Sequence, residues 1–130
     1  MSVRWDEVRA AFRQRFTLDR DEEHEFAMTL AVGPEGRRAQ RVMLRYYEAL
    51  GVEMVEIRSA FSEAKGQDPD AFLAENLKLK LGAVARHGDF LVLIHRLSLD
   101  FVQAEGVVFY ARQVARLSDL LEARGGGDRF

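Results

Sequence analysis

The sequence contains no cysteine, which excludes disulfides, thiolate metal sites and a thiol nucleophile. Only two of its 130 residues are proline, and its one low-complexity element is a glycine triplet, so it lacks the composition of a disordered chain. Charge of one sign is also missing: 19 basic residues face 21 acidic ones, for a formal charge of -2. That balance supplies no field for a nucleic-acid partner, and none is expected. From Met1 to Phe16, the charged residues Arg4, Asp6, Glu7, Arg9, Arg13 and Arg15 interrupt every apolar stretch. The segment therefore reads as neither a signal peptide nor an anchor, and a cytoplasmic protein with no membrane partner is expected.

Signatures of chemistry are equally scarce. There is no Gly-x-Ser-x-Gly elbow, and Gly33-Pro34-Glu35-Gly36 lacks the lysine and following helix of a phosphate cradle. The run Asp19, Asp21, Glu22, Glu23, Glu25 has the alternating oxygens of a calcium loop, yet His24 stands where that loop needs glycine and Leu30 where it needs a bidentate glutamate. A solvated connector is the better reading of 18–23. The three imidazoles are His24, His87 and His95. His87 reads as a turn residue and His95 as a packed one, near opposite ends of one hairpin and too far apart to share a metal. No catalytic residue, cofactor or metal ligand is expected, and the protein reads as no enzyme.

What the chain does have is 48% apolar and 31% charged residues in clear periods, enough for one two-layer core. Trp5, Val8, Phe12 and Phe16 recur at helical spacing. Phe26, Met28, Leu30 and Val32 alternate as a strand. A second strand from about Arg37 to Tyr47 sets Val42, Leu44 and Tyr46 on one face, and a third sets Val55 and Ile57 on one side; the three form an antiparallel meander. Asp68-Pro69 opens a short helix holding Phe72, Leu73 and Leu77. Gly88-Asp89 joins a hairpin in which His87 faces Phe90, Ala85 faces Val92 and Ala83 faces Ile94. Its second strand is apolar on both sides, so a second cover is expected, from the short helix or another copy of the chain. A last helix runs from roughly Ala104 to Arg124. The expected fold is α+β, a single two-layer domain of order αβββαββα over 1–124, with an antiparallel sheet packed by the first and last helices. A flexible glycine-rich tail over 125–130 is expected to follow.

One surface stands out. Arg41, Met43, Arg45 and Tyr47 share the other side of the second strand, and Met54 and Arg58 the matching side of the third. Guanidinium forks beside thioether and aromatic surface suit a protein interface, which makes these six the candidate partner-binding residues.

Three passages then carry a family likeness: Leu18-Asp19 after a charged leader, Phe72-Leu73-Ala74-Glu75-Asn76-Leu77 leading into Leu81-Gly82-Ala83-Val84, and Val114 to Glu122. With the element order, they make the chain resemble the type III secretion chaperone-like proteins, which include the Tir chaperone and the YbjN-like proteins. The resemblance implies a small homodimer that holds another polypeptide, as a chaperone-like or regulatory adaptor, through its sheet and edge strands. It departs in charge, since the secretion chaperones are usually distinctly acidic and this pI is about 5.9. The alternative expectation is a small-molecule sensor or enzyme with a pocket between the sheet and the C-terminal helix.

Overall fold

Ser2 accepts a hydrogen bond from the Trp5 N–H at 3.0 Å and so caps α1 (Val3–Arg15), whose spacing gathers Trp5, Val8, Ala11 and Phe12 on one buried stripe. The computed structural model describes residues 2–124. After α1 come β1 (Leu18–Asp21), β2 (Glu25–Val32), β3 (Arg38–Ala49) and β4 (Val52–Glu63). Then follow α2 (Pro69–Asn76), β5 (Ala83–His87), β6 (Phe90–Ser98) and α3 (Ala104–Arg124). The strands form one antiparallel sheet in the order β1-β2-β3-β4-β6-β5. The expected α+β domain is therefore the observed one, with its meander at β2 to β4. The tail expected at 125–130 lies outside the described residues.

α3 crosses the sheet over β2, β3, β4 and β6, and α1 packs beside it. Trp5 and Phe12 meet Phe26 at ring-centroid distances of 5.3 and 5.0 Å. Both helices lie on the face that carries Phe26, Met28, Val42, Leu44, Val55, Ile57 and Leu93, all fully buried. Burying a side chain of this kind contributes about 1.5–3 kcal/mol, so this layer holds most of the fold's stability.

Two expectations need correction. The segment read as a solvated connector is β1, paired with β2 through Leu18↔Met28, Arg20↔Ala27 and Asp21↔Phe26. An edge strand need bury nothing, so its charges hide the alternation that marks an inner strand. Those charges instead tie it down: Asp21 receives Arg13 at 2.8 Å and Arg9 at 3.2 Å, and Asp19 receives Arg41 at 3.0 Å. The second correction concerns α2, which does not cover the far side of β6. It sits at the β5 edge on the same side as the other helices, where Phe72 meets Phe61 at 6.1 Å. From there Asn76 accepts from the Val84 N–H at 2.7 Å and donates to its carbonyl at 3.2 Å, occupying the outward groups of an edge strand. The opposite face of the sheet carries no helix among the described residues.

Candidate functional site

The register of the inner strands builds a hollow on this open face. Met43 stands opposite Arg58, Arg58 opposite Ile94, and Ile94 opposite Ala83. In the next row Ala60 stands opposite Val92 and Val92 opposite Ala85, while His87 faces Phe90 beside the hairpin turn. The step from long side chains to alanine leaves a depression of about 380 Å³ lined by Arg41, Met43, Arg58, Ala60, His87, Phe90 and Val92. A bulge in β4 just after Ala60 bends the strand at this point. Val92 is only 3% exposed although no layer covers it, because it forms the floor between taller neighbours. The double-sided apolar pattern of β6 thus reflects this floor.

The rim is cationic. The Arg58 guanidinium lies 3.4 Å from the Met43 sulfur, 3.4 Å from His87 Nδ1 and 3.7 Å from Glu56. Arginine can only donate, which makes His87 Nδ1 the acceptor in that contact. Arg41 reaches across β2 to Asp19, and this hydrogen bond, first among the causes, holds the Asp19 carboxyl below its ordinary pKa. Each guanidinium thus already has a carboxylate within reach: Glu56 and His87 keep Arg58 beside the apolar floor, whereas Asp19 draws the Arg41 guanidinium across β2, away from it. An entering carboxylate would meet the pre-positioned fork of Arg58 while an attached apolar group settled on Val92 and Ala60.

The floor is held from below. Gln40, fully buried, places Nε2 2.7 Å from the Ala60 carbonyl, 3.0 Å from Ser59 Oγ and 3.1 Å from Ser118 Oγ on α3. Next to it Arg38 bonds at 2.7 Å to Asp119, whose side chain is 3% exposed. These contacts bind the end of the hollow to the helix beneath the sheet. No sequence signal marked Gln40, because it interrupts the apolar face of Val42 and Leu44 and reads as noise in the alternation.

Of the six residues expected from sequence, Arg41, Met43 and Arg58 line the hollow. Tyr47 and Met54 face one another nearer the β3–β4 turn, and Arg45 stands opposite Glu56, so these three lie along the same face outside it. Ala60, His87, Phe90 and Val92 complete the site. The hairpin register already paired His87 with Phe90, but only the β4–β6 pairing, which joins strands separated by α2 and β5, brings them beside Arg58.

No family model matches the chain, and no curated protein does. The residues themselves are therefore the ground for any functional reading. His95 lies on the core side, with its ring centroid 5.1 Å from that of Tyr110, and burial lowers its pKa. Among the described residues no three His, Asp or Glu side chains are grouped to hold a metal ion, and no helix is long and apolar enough to cross a membrane.

Proposed function

We propose that this protein is a non-catalytic binding module that holds a partner polypeptide, as a chaperone-like or regulatory adaptor acting in the cytoplasm as a homodimer. The observation that supports this reading most directly is the hollow on the uncovered sheet face. Its apolar floor and guanidinium rim suit a segment in which a bulky apolar residue adjoins an aspartate or glutamate. The likeness to the secretion chaperone-like proteins points the same way, and the homodimer and the cytoplasmic setting rest on that likeness alone.

The test pairs capture with a variant. Tagged protein recovered from its native cells should carry one dominant polypeptide at a fixed ratio, with the size of the complex read by light scattering. Arg41→Glu combined with Met43→Asp should leave the circular dichroism spectrum nearly unchanged and lower the melting temperature by a few degrees at most, through the lost Arg41–Asp19 pair, while reducing the recovered polypeptide at least tenfold. Undiminished recovery with the double variant would remove the hollow as the binding site. A protein recovered alone, as a dimer or a monomer, would count against the adaptor reading itself.

A further inference from the structure

β1 is too short to run the whole length of its neighbour. It pairs with β2 at Phe26, Ala27 and Met28, whereas β3 accompanies β2 from Glu25 through Val32. Just beyond, the Thr29 hydroxyl donates to Asp19 at 3.3 Å. Past that contact, side chains rather than a strand border β2 among the described residues. Phe16, which ends α1, and the flank of α3 stand there.

Between these elements lies a groove of about 410 Å³. Leu30 and Val32 line it from β2, Arg112, Ala115 and Arg116 from α3, and Phe16 from the end of α1. Its size falls within the range of about 300–1,000 Å³ that small-molecule sites occupy. It is set between the sheet and the C-terminal helix and shares no lining residue with the hollow.

The charges of the groove are unbalanced. Arg112 and Arg116 are four residues apart on α3 and so share one helix face, where like charges repel. Neither makes an ion pair with a described residue, and no described carboxylate lines the groove. Other arginines of the fold are matched: Arg15 pairs with Glu105, Arg38 with Asp119 and Arg41 with Asp19. Arg112 lies over the Phe16 ring at 5.3 Å, and a guanidinium held on a ring keeps its in-plane donors free for a carboxylate. An anion bound beside the two arginines would accept from both and relieve their repulsion.

The apolar lining favours a chain over a ring. Phe16 is the one aromatic side chain among the described lining residues, and it already meets Arg112 and, at 5.7 Å, Phe12. Leu30, Val32 and Ala115 offer aliphatic surface and no ring on which an aromatic ligand could stack.

We infer that this groove binds a small anionic amphiphile, an aliphatic carboxylate whose chain lies on Phe16, Leu30, Val32 and Ala115 while Arg112 and Arg116 hold its head. The arginines select the charge and the groove selects the chain. The site is independent of the hollow and of the partner that the hollow holds.

The test titrates decanoate, below the concentration at which it forms micelles, into isotope-labelled protein and follows amide shifts by NMR, with calorimetry for the affinity. Decanoate should move the amides of Leu30, Val32, Arg112 and Arg116 and leave those of Ala60 and Val92 in place. Decanol and decyltrimethylammonium should bind at least tenfold more weakly. Shorter carboxylates should lose about fourfold in affinity for each CH2 withdrawn from the groove. Arg112→Gln with Arg116→Gln should bring decanoate down to the level of decanol while the melting temperature stays within a few degrees. Arg41→Glu with Met43→Asp should bind decanoate as the unaltered protein does. Absence of decanoate binding, equal binding of decanol, full affinity without the two arginines, or affinity lost with the hollow variant would overturn the proposal. Two further results would overturn it by assigning the groove to another occupant. One is capture by phosphatidylglycerol vesicles that depends on the two arginines while free decanoate fails to bind, and the other is conversion of a dimer to a monomer by Arg112→Gln with Arg116→Gln.

Discussion

Gly82 and Gly88 bracket β5 with nearly the same backbone conformation, φ +66° and +60°, and very different surroundings. A Cβ at Gly82 would sit 2.5 Å from the Ile94 carbonyl oxygen and 3.2 Å from its carbon, in the strand with which β5 pairs. A Cβ at Gly88 would meet nothing within 4 Å. Gly88→Ala should therefore cost only the left-handed backbone penalty, about 1 kcal/mol. Gly82→Ala should add a packing conflict against backbone, for about 3 kcal/mol in all. For a chain of this length the melting temperature should fall by roughly 4 °C and 11 °C respectively. Urea titrations followed by tryptophan fluorescence supply the free energies, and hydrogen exchange in β5 locates the damage. The conflict should fall on Ile94 and His95, at the end of β5 remote from His87, so the exchange change in Gly82→Ala should centre on the Ala83–Ile94 pair. Losses equal within about 0.5 kcal/mol would refute the reasoning, because they would mean that β5 can withdraw from β6 without cost.

The β3–β4 turn offers a gain. Leu50 and Gly51 both have positive φ, 55° and 78°, and Leu50 is fully exposed, so Leu50→Asn should raise stability by about 0.5–1 kcal/mol, read as a higher urea midpoint. Acid should loosen β1 first. The Asp21 carboxyl is held below its ordinary pKa, chiefly by the hydrogen bond from Arg13. Its contribution is present above the unfolded value of about 4 and lost as pH falls through the lowered folded value. Protection of the β1 amides, taken relative to the intrinsic exchange rate at each pH, should fall below about pH 4, and Asp21→Asn should show the lower protection already at pH 7 with a flatter acid dependence. Protection in β1 that is independent of pH and unaltered by Asp21→Asn would show that the ion pairs do not hold the strand.

Much of this architecture was legible because its elements follow one period at a time. Trp5, Val8 and Phe12 mark a helix without ambiguity, and the His87–Phe90 hairpin could be paired residue by residue from Gly88-Asp89 alone. β1 was hidden because an edge strand in contact with solvent is free to be charged throughout, and Leu18 alone does not make a pattern. The site was half legible for a related reason. Arg41, Met43 and Arg58 belong to neighbours in sequence order, β3 and β4, whose pairing is local. Phe90 and Val92 come from β6, which reaches β4 only after the chain has traversed α2 and β5. No spacing in the sequence encodes that step, and Gln40, which secures the floor from beneath, is visible only once α3 is laid over it.

The closed β5 edge has a consequence for assembly. Sheets that are open at both ends can stack one molecule on the next and grow into fibres. Here, two molecules that met through their β2 edges would leave only β5 ends outward, each with Asn76 already seated on Val84. Growth beyond a pair would meet α2 at Val84, where a third copy would first have to displace Asn76. The asparagine thus serves as a chain terminator for self-association, and Asn76→Ala should make the protein more prone to fibrillar aggregation even where its folding stability is little changed.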